Sequence, residues 1–124
     1  MRTLSLISTT LVAFLAGCAG TGMIPVEMRS GALTDPAGMT LYVFDKDVAG
    51  SGKSVCNGDC AAKWPPLTAT TGAGTSGDYG VITRDDGARQ WSYKGKPLYR
   101  WFKDQKPGDM SGDGVNNVWH VAKP

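Results

Sequence analysis

The chain carries the same short pattern twice. Leu41-Tyr42-Val43-Phe44-Asp45-Lys46-Asp47 and Leu98-Tyr99-Arg100-Trp101-Phe102-Lys103-Asp104 share Leu-Tyr-x-aromatic-x-Lys-Asp, and a tryptophan, Trp64 or Trp119, follows each tyrosine after roughly twenty residues. Two half-domain units packed on each other account for this echo. On a strand, Tyr42 and Phe44 point to one side, and so do Tyr99 and Trp101, so each copy offers one aromatic pair to a common core. The alternative is that these rings line a ligand groove; core packing is preferred, because aromatic side chains dominate the burial available to a small domain. Trp91 and Trp119 are expected in the same core. Phe102, next to Trp101, must face the other way and is expected at the surface.

The rest of the pattern is short strands and tight turns. Glycine is abundant at 17 residues, Glu27 is the single glutamate, and no stretch sustains an apolar period of 3.6, which excludes long helices. Val26–Ala32 and Thr40–Asp45 flank the turn sequence Asp35-Pro36-Ala37-Gly38. Val81–Arg84 and Ala88–Tyr93 flank Asp85-Asp86-Gly87, a second hairpin. Lys94-Gly95-Lys96 turns the chain into Pro97–Lys103, and Val118–Val121 forms a last strand. Asn57–Trp64 is predicted to hold one brief helix carrying Cys60, stopped before Pro65-Pro66. Thr68–Gly77, without a large apolar side chain, is a surface loop. The predicted fold is mainly β: one small domain of antiparallel hairpins from two related half-repeats, with one short helix near Cys60.

Ahead of this domain lies an export signal. Arg2 precedes about a dozen mostly apolar residues, Leu4–Leu15, too few to span a bilayer. Leu15-Ala16-Gly17-Cys18 resembles the lipobox of bacterial lipoproteins, which implies cleavage before Cys18 and acylation of its thiol and new amino group, enough to hold the chain on a membrane. Residues 1–17 are thus read as signal peptide, 18–25 as lipidated N-terminus and tether, and 26–124 as the duplicated domain. The expected location is the bacterial cell envelope; Ala19 after the cysteine favours the outer membrane if the host is a diderm. Thirteen basic and eleven acidic residues are scattered along the chain, with no polybasic run, so no nucleic-acid partner is expected.

Acylation of Cys18 leaves Cys56 and Cys60. In an oxidising compartment, a pair at this spacing on a helical turn is most simply a disulfide. The alternative is a soft three-ligand set, Cys56, Cys60 and the only histidine, His120, suited to copper delivery or thiol exchange. Its Cys-x-x-x-Cys plus distant His is locally similar to the thioredoxin-like copper chaperones of the cytochrome oxidase pathway, without their βαβ alternation. Met39 and Met110 are further soft donors of ordinary type. Asp109, Ser111 and Asp113, with Gly114 in sixth place, copy the first half of a calcium loop; the twelfth position is His120 instead of a bidentate glutamate, so any calcium affinity is expected to be weak. No cofactor is expected, with copper as the alternative and calcium a lesser one. Asp47 and Asp104, the acids of the repeat, are expected to cap loops by accepting backbone N–H groups. No nucleophile, metallohydrolase or phosphate-loop motif occurs, and the expectation is a protein that is not an enzyme.

The repeated Tyr-x-(Phe/Trp)-x-x-Asp, carried by Tyr42, Phe44 and Asp47 and by Tyr99, Trp101 and Asp104, combines with several further motifs. These are Cys56-x-x-x-Cys60-Ala61 running into Trp64-Pro65-Pro66, Arg84-x-Asp86-Gly87-x-x-Gln90-Trp91, Gly95-Lys96-Pro97-Leu98-Tyr99 and the closing Trp119-His120. Together they resemble the predicted bacterial lipoproteins described as secreted repeats of unknown function. The resemblance implies an envelope lipoprotein with an internal duplication and brings no substrate or catalytic residue with it. The expected function is a lipid-anchored binding or structural module that meets the membrane through its lipid and an envelope protein or glycan as partner. The alternatives are the copper or thiol-redox protein and a surface carbohydrate-binding or adhesin module using exposed aromatics such as Phe102.

Overall fold

Turn chemistry cuts the chain into strands of two to five residues. The computed structural model describes residues 23–124; the signal segment, Cys18 and most of the tether lie outside the described residues. Strands β1 (Glu27–Arg29) and β2 (Ala32–Thr34) form a hairpin closed by Ser30-Gly31, and β5 (Arg89–Tyr93) and β6 (Lys96–Pro97) form another closed by Lys94-Gly95. Both turn residues have positive φ in each case, the geometry that matches the twist of flanking strands and that glycine favours at the second place. The strand expected over Val26–Ala32 is therefore broken at Ser30-Gly31, a Ser-Gly step of the kind that marks turns. Asp35-Pro36-Ala37-Gly38 then turns β2 back toward β3 (Tyr42–Phe44), with the Gly38 N–H on the Asp35 carbonyl at 2.9 Å. Asp85-Asp86-Gly87 joins β4 (Tyr79–Thr83) to β5, as its Asp-Gly step implies. The strand expected over Pro97–Lys103 is shorter than its aromatic alternation suggests, since Phe102-Lys103 is already a turn. The helix is α1 (Asp59–Lys63), and β7 (Trp119–Val121) follows a short 3-10 turn.

The two halves trade their closing segments. β7, at the end of the second repeat, pairs antiparallel with β3 of the first, placing Phe44 opposite Trp119. The end of the first repeat pairs with the second: Phe102 N–H donates to the Lys63 carbonyl at 2.9 Å and Arg100 N–H to Pro65 at 2.8 Å. Between the halves, Tyr42 and Tyr99 exchange backbone hydrogen bonds of 2.8 and 3.0 Å.

Each half is completed by a closed ring of three backbone bonds that includes the incoming segment. Leu41 donates to Leu33, Leu33 to Ala122, and Ala122 to Leu41; in the other half Leu98 donates to Trp91, Trp91 to Leu67, and Leu67 to Leu98, all at 2.8–2.9 Å. The side chains of these six residues form one buried apolar cluster. A second cluster holds Tyr42, Phe44, Cys56, Trp64, Tyr99 and Trp119, with Trp101 and Cys60 packed against it. Among the described residues, no helix is long and apolar enough to cross a membrane.

Candidate functional site

The second cluster is a column of rings. Phe44 stacks on Trp119 (centroids 4.2 Å), Trp119 on Trp64 (3.7 Å), and Trp64 on Trp101 (4.0 Å), so the order reads aromatic-Trp-Trp-aromatic and alternates between the repeats. The two motif tyrosines meet it edge-on, Tyr42 against Trp64 at 5.4 Å and Tyr99 against Trp119 at 5.1 Å. The T-shaped contacts of the two tyrosines are a favourable arrangement for quadrupolar rings. Strand alternation produces the column: β3 turns Tyr42 and Phe44 inward together, and β7 turns Trp119 inward while His120 faces out.

Each motif tyrosine donates to the motif aspartate of the other repeat. Tyr42 Oη donates to Asp104 Oδ2 at 2.6 Å and Tyr99 Oη to Asp47 Oδ2 at 2.5 Å. The second carboxylate oxygen of each holds a loop, as expected for caps: Asp47 Oδ1 accepts Val55 N–H at 2.8 Å, and Asp104 Oδ1 accepts the Ser111 N–H and hydroxyl at 3.1 and 2.7 Å. Burial first, and then the hydrogen bond to a carboxylate, push both phenols well above the ordinary tyrosine range. They stay protonated.

Arg84 completes the second pair and is the residue the sequence hides best. It is 4% exposed, has no carboxylate within ion-pair distance, and spreads its charge over neutral acceptors. Nη1 donates to Ser54 Oγ (3.0 Å) and Gln90 Oε1 (2.7 Å), Nη2 to the Cys56 carbonyl and Asn57 Oδ1. Ser54 in turn contacts Tyr99 Oη at 2.6 Å, so a chain of hydrogen bonds runs from the guanidinium through Ser54 and Tyr99 to Asp47. Buried charges need such satisfaction. Only the Arg84…Gln90 spacing around a hairpin hints at it in the sequence.

The candidate metal sets are not assembled. Cys56 and Cys60 are bonded to each other, Cα atoms 5.2 Å apart, and His120 sits on the outer face of β7 with Nε2 2.8 Å from Asp45 Oδ2. Cys56, Cys60 and His120 are thus not brought together as a copper set: alternation along β7 sends His120 away from the face that carries Trp119. In the calcium-like loop, each of the three side chains has its own partner within the protein. Asp109 accepts N–H groups from Gln105 and Lys106, which hold its carboxyl below the usual range; Ser111 bonds Asp104; Asp113 accepts Val121 N–H at 3.0 Å. Among the described residues, no group of three His, Cys, Asp or Glu is placed to hold a metal ion. Phe102 is 51% exposed at the end of the column, as its alternation implies, and Met110 is exposed too.

Two shallow grooves follow the seam between the repeats. One, about 520 Å³, has Asn57, Ala61 and Pro66 on one wall and Arg84, Asp85 and Ala88 on the other. The second, about 350 Å³, has the almost fully buried Trp64 and Trp119 in its lining, beside Lys46, Lys63, Asp59 and Asn116.

Fold and site together define a duplicated β module whose halves exchange their tryptophan segments around an aromatic column. The chain belongs to the family described as secreted repeat of unknown function, whose model matches residues 26–68 and again residues 80–123. Each match ends on an exchanged segment. No curated protein and no solved structure is significantly similar to the chain.

Proposed function

We propose that this protein is a lipid-anchored, non-catalytic module of the bacterial cell envelope that offers a rigid binding surface close to the membrane. The carrying observation is that, among the described residues, the candidate reactive side chains are spent on internal contacts: Cys56 on Cys60, His120 on Asp45, Asp47 on Tyr99 and Asp104 on Tyr42. The export segment and Leu15-Ala16-Gly17-Cys18 support the anchor, and the family's description as secreted agrees with a location outside the cytoplasm. The seam grooves are the binding surface of this reading, of a volume that suits small ligands or a partner's side chains. Sugar stacking is less favoured, since the indole faces cover one another and Phe102 alone of the motif-region rings is half exposed.

Fractionation of the native host tests the anchor. The intact chain is expected in the membrane fraction, with an N-terminal peptide starting at acylated Cys18, and Cys18→Ser is expected to leave that fraction. A wild-type chain found soluble with its first segment uncut would overturn the reading. For the surface, backbone amide shifts on adding solubilised envelope glycan or protein fractions are expected at Asn57, Lys63 and Asp85, and shifts confined to Phe102 and its neighbours would restore the adhesin alternative.

A further inference from the structure

The column and the two tyrosine–aspartate pairs form a connected set that packing alone does not require. Four rings, Phe44, Trp119, Trp64 and Trp101, lie in contact from the core to the half-buried Trp101, with Phe102 at 4.9 Å beyond it. Each central indole touches one tyrosine, and each tyrosine points its hydroxyl at a buried carboxylate oxygen that accepts no other hydrogen bond among the described residues. A phenol stripped of an electron becomes a strong acid, so its oxidation inside a protein needs a base already in place. Both phenols have one.

We propose that the indole column and the Tyr42–Asp104 and Tyr99–Asp47 pairs act as a one-electron relay, in which an oxidised tryptophan is refilled by a tyrosine whose proton passes to its aspartate. The oxidant is an outer-sphere one-electron acceptor, such as an inorganic radical or a high-valent metal complex, that takes an electron from Trp101 at the accessible end. The vacancy moves along the stack to Trp64 or Trp119. One electron then leaves the phenol of Tyr42 or Tyr99 for the indole radical cation; the O–H bond breaks, and the proton is received by Oδ2 of Asp104 or Asp47. The products are a neutral indole, a neutral phenoxyl radical and a carboxylic acid, one electron poorer than the start and with the proton retained. Burial and the adjacent carboxylate keep the resting phenols protonated, so the proton is on the tyrosine when the electron is called for. The two pairs give the chain two such sinks, one in each repeat.

The test uses the full-length chain, with Tyr79→Phe and Tyr93→Phe so that Tyr42 and Tyr99 are the remaining phenols among its four tyrosines. Flash-generated tris(bipyridine)ruthenium(III) supplies the oxidant, and transient absorption with freeze-trapped electron paramagnetic resonance separates tryptophanyl from tyrosyl radicals. A tryptophanyl signal is expected to convert to tyrosyl, more slowly in deuterated water and at a rate independent of buffer-base concentration, because the acceptor is internal. Asp47→Asn with Asp104→Asn is expected to lose the tyrosyl signal. Should that chain not fold, the buffer dependence in the parent decides alone. A radical that stays on tryptophan, a conversion rate that climbs with buffer, or an undiminished tyrosyl yield in the folded asparagine variant would each overturn the relay.

Discussion

Asp47 and Asp104 are each asked to hold two things: a loop amide through one oxygen and a tyrosine of the opposite repeat through the other. The alkaline limb of stability follows from the tyrosines. Their folded pKa values lie above the ordinary value, so the folded chain keeps protons that the unfolded chain releases, and the stabilisation is lost as pH rises past about 10. With both groups contributing, urea unfolding is expected to show stability falling by up to about 2.7 kcal/mol per pH unit above that point. Tyr42→Phe with Tyr99→Phe is expected to flatten this limb. Gly112 supplies a second residue-scale prediction: a Cβ there would stand 2.9 Å from atoms of Trp101, Trp64 and Tyr42 at once. Gly112→Ala is expected to cost about 1–3 kcal/mol by overpacking, read as a lower urea midpoint with unchanged slope. The repeat motif makes the tyrosines, aromatics and acids visible in the sequence; nothing local reveals that Tyr42 answers to Asp104 and not to Asp47, or that Gly112 lies under the column.

The elements are too short to stand alone. A helix of five residues is far below the length that is stable by itself, and α1 is held by the Cys56–Cys60 bond and by packing of Cys60 and Trp64 on the core. Closing so short a loop contributes about 2 kcal/mol in the chain-entropy model. Strands of two to five residues likewise depend on their partners, and here the partner of the last strand of each half belongs to the other half. Residues 23–78 and 79–124 produced as separate chains are therefore expected to lack near-ultraviolet circular dichroism, and to recover it when mixed. A folded isolated half would contradict the exchange. Hairpin turns with an Asp-Gly or Pro-x-Gly signal were legible at this level, as was the helix before Pro65-Pro66. The break at Ser30-Gly31 carried a signal of the same kind in its Ser-Gly step, and Val26–Ala32 reads as one strand only if that step is passed over.

At the scale of the molecule, sequence reasoning about the sulfurs and the histidine diverges in outcome. The Cys56–Cys60 pairing is local, four residues apart, and chain geometry alone brings the thiols together. The copper set needed His120 as well, which depended on which face of β7 met the core, and the calcium set needed three oxygens to converge that each had another partner, backbone amides for Asp109 and Asp113 and the Asp104 carboxylate for Ser111. By itself the sequence determined a duplicated, β-rich chain with its turns, a short helix, a local disulfide, inward tryptophans and an outward Phe102, because each of these follows from spacing and conformational preference within a few residues. Tertiary structure alone decided that the halves exchange their closing segments, that each tyrosine serves the other repeat's aspartate, and that Arg84 is buried among neutral acceptors. Those outcomes rest on backbone pairings between positions dozens of residues apart, and no local preference of either partner specifies them.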